Sequence, residues 1–213
     1  LNEKGIIHVK NIAAQLSISE TTIRRDLIEM EKIGLCKRVH GGAMKKGDSS
    51  ILSDQNELTM IQKGALYNDE KNRITQKAAK LVEDGDCVFL DGGTTIAPMI
   101  KYLIHKKIKI VTHSDLIVRQ IENAVAEIFV IGGKYLPKYA MTIGPIAYDT
   151  TRQFNFDYCF IGCAGVSIED GISFTAEMET RSIKEIAMKN SLKRYLLIDN
   201  NKLEVRGFAK LVN

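Results

Sequence analysis

The sequence predicts an α/β protein: a mostly parallel sheet covered by helices, preceded by a small winged helix-turn-helix unit whose first helix is missing. Three observations carry this reading. From Asp69 onward, short apolar runs alternate with segments of helical spacing, the pattern of a parallel sheet buried on both faces. Before them, two short amphipathic helices flank a Ser17-Ile18-Ser19 turn and lead into a basic strand pair. The charge is also segregated. Residues 1–47 hold nine Lys/Arg against five Asp/Glu, so the whole net charge of +4 falls there and the remainder is balanced.

Each element of the first unit has a local cause. Ile6, Ile7 and Val9 read as a strand-like entry, and Ile12, Ala13 and Leu16 as the apolar side of a first helix. The second helix spans 20–33. Ser19 is its N-cap, because a serine hydroxyl accepts from the orphan N–H groups of the first turn. Ile23, Leu27 and Met30 follow at i, i+4, i+7 and line one face. Gly34 stands at a helix-stop position. Residues 35–42 then read as a β-wing ending in the Gly41-Gly42 turn, and the mixed, polar stretch 44–68 as a linker.

In the second unit, Ile74, Ala78, Leu81 and Val82 define a helix that Asp84-Gly85-Asp86 ends. Strands are expected at Cys87–Leu90, Ile108–Thr112, Glu127–Ile131, Phe156–Gly162 and Arg194–Asp199. Helices are expected at 95–105, 115–124, 144–152 and 177–190, and a strand begins at Phe208–Val212. The domains are thus 1–43, a linker over 44–68, and 69–213. Leu1-Asn2 reads as the tail of a preceding helix, so both domains are expected to be trimmed, one at each end.

Composition excludes several classes. At 45% hydrophobic and 26% charged residues the chain is of ordinary globular type. Runs such as Cys87–Leu90 are too short to span a bilayer, so no membrane partner is expected. The four cysteines form no CxxC pair and the four histidines are scattered, so neither a metal nor a cofactor is expected and a reducing cytoplasm fits.

The second helix carries the chemistry of nucleic-acid recognition. Arginine's planar fork matches guanine O6/N7, and hydroxyls suit phosphates or bases. Ser19, Thr21, Thr22, Arg24 and Arg25 are therefore candidate DNA contacts, with Thr21, Thr22 and Arg25 in the groove and Asp26 orienting an arginine. Lys37, Arg38 and His40 of the wing would meet phosphates or the minor groove. One short helix reads few bases, so a homo-oligomer, dimer or tetramer, is expected.

A second site follows from Val88-Phe89-Leu90-Asp91-Gly92-Gly93-Thr94-Thr95. Glycines after a buried strand let backbone approach a ligand, and threonines at a helix start sit where N–H groups are unpaired. Turns at Thr112-His113-Ser114, 131–134 and 162–165 fall at further strand carboxyl ends, where ligands of parallel sheets bind. Lys202 follows the strand expected at Arg194–Asp199. Together these loops suit a small, phosphorylated polar molecule.

Both units resemble one family. Ser19-x-x-Thr22-Ile23-Arg24-Arg25-Asp26-Leu27 with Arg38-Val39-His40-Gly41-Gly42-Ala43 is similar to the winged helix-turn-helix of DeoR family bacterial transcriptional repressors. Asp91 to Thr95, the Thr112 to Ser114 turn, Gly144-Pro145 and Asp199-x-x-Lys202 are similar to its sensor domain. The resemblance implies the ribose-phosphate isomerase and coenzyme A transferase fold, with a phosphorylated sugar relieving repression of a carbohydrate-use operon. It implies effector contacts at Asp91, Gly92, Gly93, Thr94, Thr95, Thr112, His113, Ser114, Gly165, Glu177, Lys184 and Lys202. His113 replaces the family's usual asparagine, and Ala164 an acidic or amide residue. The rival reading is a sugar-phosphate isomerase with a DNA-binding appendage. Proton transfer between carbons needs a carboxylate base, and by comparison with the isomerases those acids are replaced by Ile161, Ala164 and Gly165. No catalytic residue is therefore expected.

Overall fold

A computed structural model describes residues 6–33, 35–39, 41–45, 51–53, 57–64 and 67–212. The chain divides into two compact units, Leu1–Ser50 and Ile51–Asn213.

In the first unit, β1 (Ile6–His8) leads into α1 (Val9–Leu16), and α2 (Glu20–Lys32) is followed by β2 (Cys36–Val39) and β3 (Gly42–Lys45). The strands pair antiparallel in the order β1-β3-β2. Val9, Ala13, Ile23, Leu27, Cys36 and Ala43 form the core, with Ile7, Ile12 and Met30 packed against it. Ser17 ends α1 in the left-handed region, φ 55°, and Ile18 N–H donates to Ala13 O. That reversal sets α2 against α1. Gly42 lies opposite His8, where a β-carbon would sit 1.7 Å from Ile7 O, so only glycine lets β1 and β3 pair. Two expectations change here. Val9 begins the helix rather than continuing the strand, and Leu16 is exposed because the chain turns away at Ser17. Gly34 and His40 lie outside the described residues.

The second unit is built on a five-stranded parallel sheet in the order β12-β9-β4-β5-β6. Its strands are β4 (Cys87–Leu90), β5 (Lys109–Thr112), β6 (Glu127–Val130), β9 (Phe156–Ile161) and β12 (Ser191–Leu196). Side chains alternate across it, as strand geometry requires. Val88, Leu90, Ile110 and Phe160 face α4 (Asn68–Ala79) and α5 (Ile100–Leu103). Phe89, Val111, Cys159 and Ile161 face α7 (Pro145–Thr151) and α8 (Met178–Lys189). Both faces are covered, as predicted.

Differences lie in the connections. The stretch 95–105 forms a 3-10 turn at Ala97–Met99 before the short α5, with Pro98, which has no N–H to give, at its start. The 115–124 helix is one turn, α6 (Asp115–Val118), and the last parallel strand begins three residues earlier than expected. A hairpin of β7 (Lys134–Leu136) and β8 (Met141–Ile143) was not foreseen. Nor was an antiparallel sheet in the order β10-β11-β13: β10 (Gly165–Ser167), β11 (Ile172–Thr175) and β13 (Ala209–Val212), of which only the last was expected as a strand.

The expected linker is also partly built into this unit. Leu52 N–H donates to Arg206 O, and Phe208 N–H donates to Leu52 O. The following helix, α3 (Met60–Gly64), buries Met60 among Tyr139, Ala140, Met141 and Ile143. Polar composition hid these few apolar anchors.

Candidate functional site

The helix α2 presents the first site. Ser19 Oγ accepts from Thr22 N–H at 3.1 Å and pairs with Thr22 Oγ1 at 2.8 Å. Both hydroxyls are thereby engaged at the helix start, while Ile23 and Leu27 are buried on the opposite side from the exposed Thr21, Arg24 and Arg25. Arg24 is oriented by Glu20, at 3.4 Å one turn back, because i,i+4 places Glu20 and Arg24 on one face. In the wing, Arg38 N–H donates to Glu31 Oε1 at 2.7 Å, tying β2 to α2. The Lys37 side chain and His40 lie outside the described residues.

The second site opens at the carboxyl ends of β4 and β9. Asp91, fully buried, is its anchor. Its Oδ2 accepts from Gly162 N–H at 2.9 Å and lies 3.4 Å from Lys184 Nζ, which in turn donates to Gly162 O at 2.9 Å. Its Oδ1 lies 3.2 Å from His113 Nε2. Burial pushes the carboxyl pKa upward, but the Lys184 ammonium, His113 and the Gly162 amide outweigh it and hold Asp91 well below the usual carboxylate range.

Asp91, Gly93, Thr94, Thr95, Lys184 and Lys202 all border one pocket. The remaining expected contacts do not. Thr112 Oγ1 donates to Leu90 O and accepts from Ser114 N–H, and His113 Nδ1–H donates to Thr142 O, so this turn braces Asp91 from behind. Gly92 abuts Met141, whose Cε would lie 2.5 Å from an added β-carbon, and a β-carbon added at Gly165 would lie 2.1 Å from Val205 O. Glu177 is spent as the N-cap of α8, accepting from Glu179 and Thr180 N–H. Thr94 and Thr95 stand in a turn ahead of the 3-10 segment rather than in a helix.

Sequence reading missed an entire wall. Glu57, Met60 and Lys63 line the pocket from the stretch read as linker, and Tyr139 and Met141 from the unforeseen hairpin. The buried Glu57 carboxylate pairs with Lys63 and accepts from Tyr139 Oη at 2.7 Å. Burial first, then the Lys202 and Lys184 ammoniums, lower the Lys63 pKa to about 8 against the opposing pull of Glu57. Cys163, also in the wall, has its thiol pushed up to about 11 by burial. It stays protonated near neutrality and is no nucleophile. Both pocket carboxylates are engaged by lysines, which leaves neither as a free base. Among the described residues no His/Cys/Asp/Glu group could hold a metal, and no helix is long and apolar enough to cross a membrane.

Residues 1–46 match the DeoR-like helix-turn-helix domain, and residues 67–213 the DeoR C terminal sensor domain. The chain belongs to the DeoR family. It is a DNA-binding transcriptional regulator and not an enzyme. The FruR transcriptional regulator of Bacillus subtilis is 32% identical over 98% of this chain and 81% of its own. The lactose phosphotransferase system repressor of Staphylococcus epidermidis is 28% identical over 98% and 82%. Among solved structures, ribose 5-phosphate isomerase A of Methanocaldococcus jannaschii is 18% identical, with a TM-score of 0.47 over 64% of this chain and 54% of that one.

Proposed function

We propose that this DeoR family member represses a carbohydrate-utilisation operon and leaves its operator when a phosphorylated sugar fills the pocket beside Asp91. One observation carries the effector assignment: lysines from three separate segments, Lys63, Lys184 and Lys202, border one pocket together with the Gly93-Thr94-Thr95 turn. Converging ammoniums beside hydroxyls and close-approaching backbone suit a phosphoryl group carried on a polar body. The relatives' names, a lactose system repressor and FruR, support a sugar system as the regulated target.

In this reading α2 reads operator bases and the wing meets the backbone. The protein acts as a dimer or tetramer in the cytoplasm, because paired half-sites need paired heads. Ligand at the strand ends favours one packing of the sensor units and so changes the spacing of those heads.

The test is a thermal-shift screen of sugar phosphates beside their unphosphorylated counterparts, followed by operator release on the hits. At 100 times its dissociation constant a true effector adds about 2.7 kcal/mol of stability, and the plain sugar adds none. Replacing Thr94 and Thr95 by valine removes the response and leaves DNA binding intact. A response unchanged in that variant, or no response to any phosphorylated sugar, overturns the assignment.

A further inference from the structure

We propose that Lys63 of α3 is a phosphate ligand of the pocket, held in place by Glu57 until the phosphorylated molecule arrives. This rests on the effector assignment above and names a residue that the family resemblance did not include.

The pocket is bordered by three ammoniums, Lys63, Lys184 and Lys202, and two carboxylates, Asp91 and Glu57. Lys184 is committed, lying 3.4 Å from Asp91 Oδ2 and donating to Gly162 O. Lys202 has no ion-pair partner among the described residues and supplies one positive charge. A phosphate monoester near neutrality carries up to two negative charges. Lys63 is the remaining cation in the wall, and its geometry suits the task.

Glu57 does not consume it. A lysine ammonium has three donors, and Glu57 takes one of them. The second oxygen of Glu57 is fixed by Tyr139 Oη, so the carboxylate stays anchored whether or not Lys63 shares its charge. The Tyr139 ring centroid lies 5.9 Å from Lys63 Nζ, and Lys138 Nζ lies 5.8 Å from the same ring. Lys71 donates to the Lys63 carbonyl, not to its side chain. Among the described residues, Glu57, Tyr139, Lys184 and Lys202 are the groups that Lys63 meets. The Lys184 and Lys202 ammoniums oppose the charge on this half-buried lysine, and an arriving dianion relieves that repulsion.

Position adds a consequence. α3 lies in the same unit as the sheet, so a ligand held by Lys63 joins this short helix to the strand ends.

The full chain is titrated with inorganic phosphate by calorimetry between pH 7 and 9.5. Wild-type affinity falls as pH rises through about 8, because Lys63 loses its proton there. Lys63→Arg keeps its charge and retains binding across the range. The neutral pair Lys63→Met with Glu57→Gln leaves no buried charge unpaired, keeps its near-UV dichroism, and binds phosphate about tenfold or more weakly at pH 7. Lys202→Met separates the role of Lys63 from the identity of the pocket. If it weakens binding while the neutral pair binds like wild type, Lys63 is not a ligand and the pocket assignment stands. If wild type binds no phosphate at all, the pocket assignment falls and Lys63 with it.

Discussion

Asp91 Oδ1 and His113 Nε2 lie 3.2 Å apart, both side chains wholly buried, on adjacent parallel strands' ends. With Lys184 and the Gly162 amide on the other oxygen, this makes Asp91 the point where β4, β5, β9 and α8 are tied together. The pocket floor is thus a structural ion cluster, and the ligand groups stand above it.

Asp91→Ala strands the Lys184 ammonium in a buried site, so it should cost about 3–5 kcal/mol of stability, read by urea unfolding. The pH dependence has a definite sign. A carboxyl held below its ordinary value stabilises the fold above that value, and the contribution is lost as pH falls through the folded-state value. Wild-type stability therefore drops on acidification below about pH 4, and Asp91→Asn shows a shallower drop. An identical acid limb in both would remove Asp91 from the account.

Lys63 gives a slope of the same sign in an alkaline window, although here the charged form is the one the fold penalises. Its folded-state pKa is about 8 rather than 10.5, so the unfolded chain holds more protons between those values. Stability then rises with pH across that window, at a limiting slope of about 1.4 kcal/mol per pH unit. The Lys63→Met, Glu57→Gln pair lacks this rise. Chemical denaturation at pH 8, 9 and 10 checks it, and parallel curves for the two proteins would contradict it.

These two residues show what the sequence could and could not disclose. The place of Asp91 at the end of β4 was legible because a buried apolar strand ran straight into Asp-Gly-Gly-Thr-Thr, but its burial beneath His113, Gly162 and Lys184 was not. Strand and helix order was legible for the same reason. Lys63 was not. Its role depends on Met60 docking among Tyr139, Met141 and Ile143, contacts far along the chain and made by a five-residue helix. Nor could the sequence say that Thr112, His113 and Ser114 face inward beneath the pocket. Alternation fixes which face a strand residue takes, but past Thr112, the last residue of β5, the chain has no such period.

Glycines separate packing from binding. At Gly165 a β-carbon would meet Val205 O at 2.1 Å, so Gly165→Ala should destabilise by about 1–3 kcal/mol. At Gly93 the nearest atom is Ile96 Cγ1 at 3.5 Å, an ordinary contact, and the residue borders the pocket. Gly93→Ala should melt near wild type yet bind sugar phosphate more weakly. Melting curves with and without ligand distinguish the two, and a reversed pattern would mean the pocket lies elsewhere.

The Ser19 cap predicts a change confined to the first unit. Ser19→Ala leaves Thr22 N–H without its acceptor, costing about 0.5–2 kcal/mol. Amide exchange at the start of α2 should quicken while that of β4 and β9 is unchanged. Uniform acceleration across both units would show that the effect is not local.

Arg24 and Arg25 should differ on DNA although they are neighbours. Arg24 is held by Glu20 and has part of its charge satisfied within α2. Arg25 is exposed on the same helix, beyond the buried Ile23 and Leu27, with no ion-pair partner among the described residues. Using an operator selected from random duplexes with the full chain, Arg25→Ala should lose about 1–3 kcal/mol and relax the preference at one or two base pairs. Arg24→Ala should weaken all sequences alike and lower the salt dependence of binding by about one phosphate contact. If Arg25→Ala instead weakens every sequence equally, it binds the backbone, and the base-reading role passes to Thr21 and its neighbours.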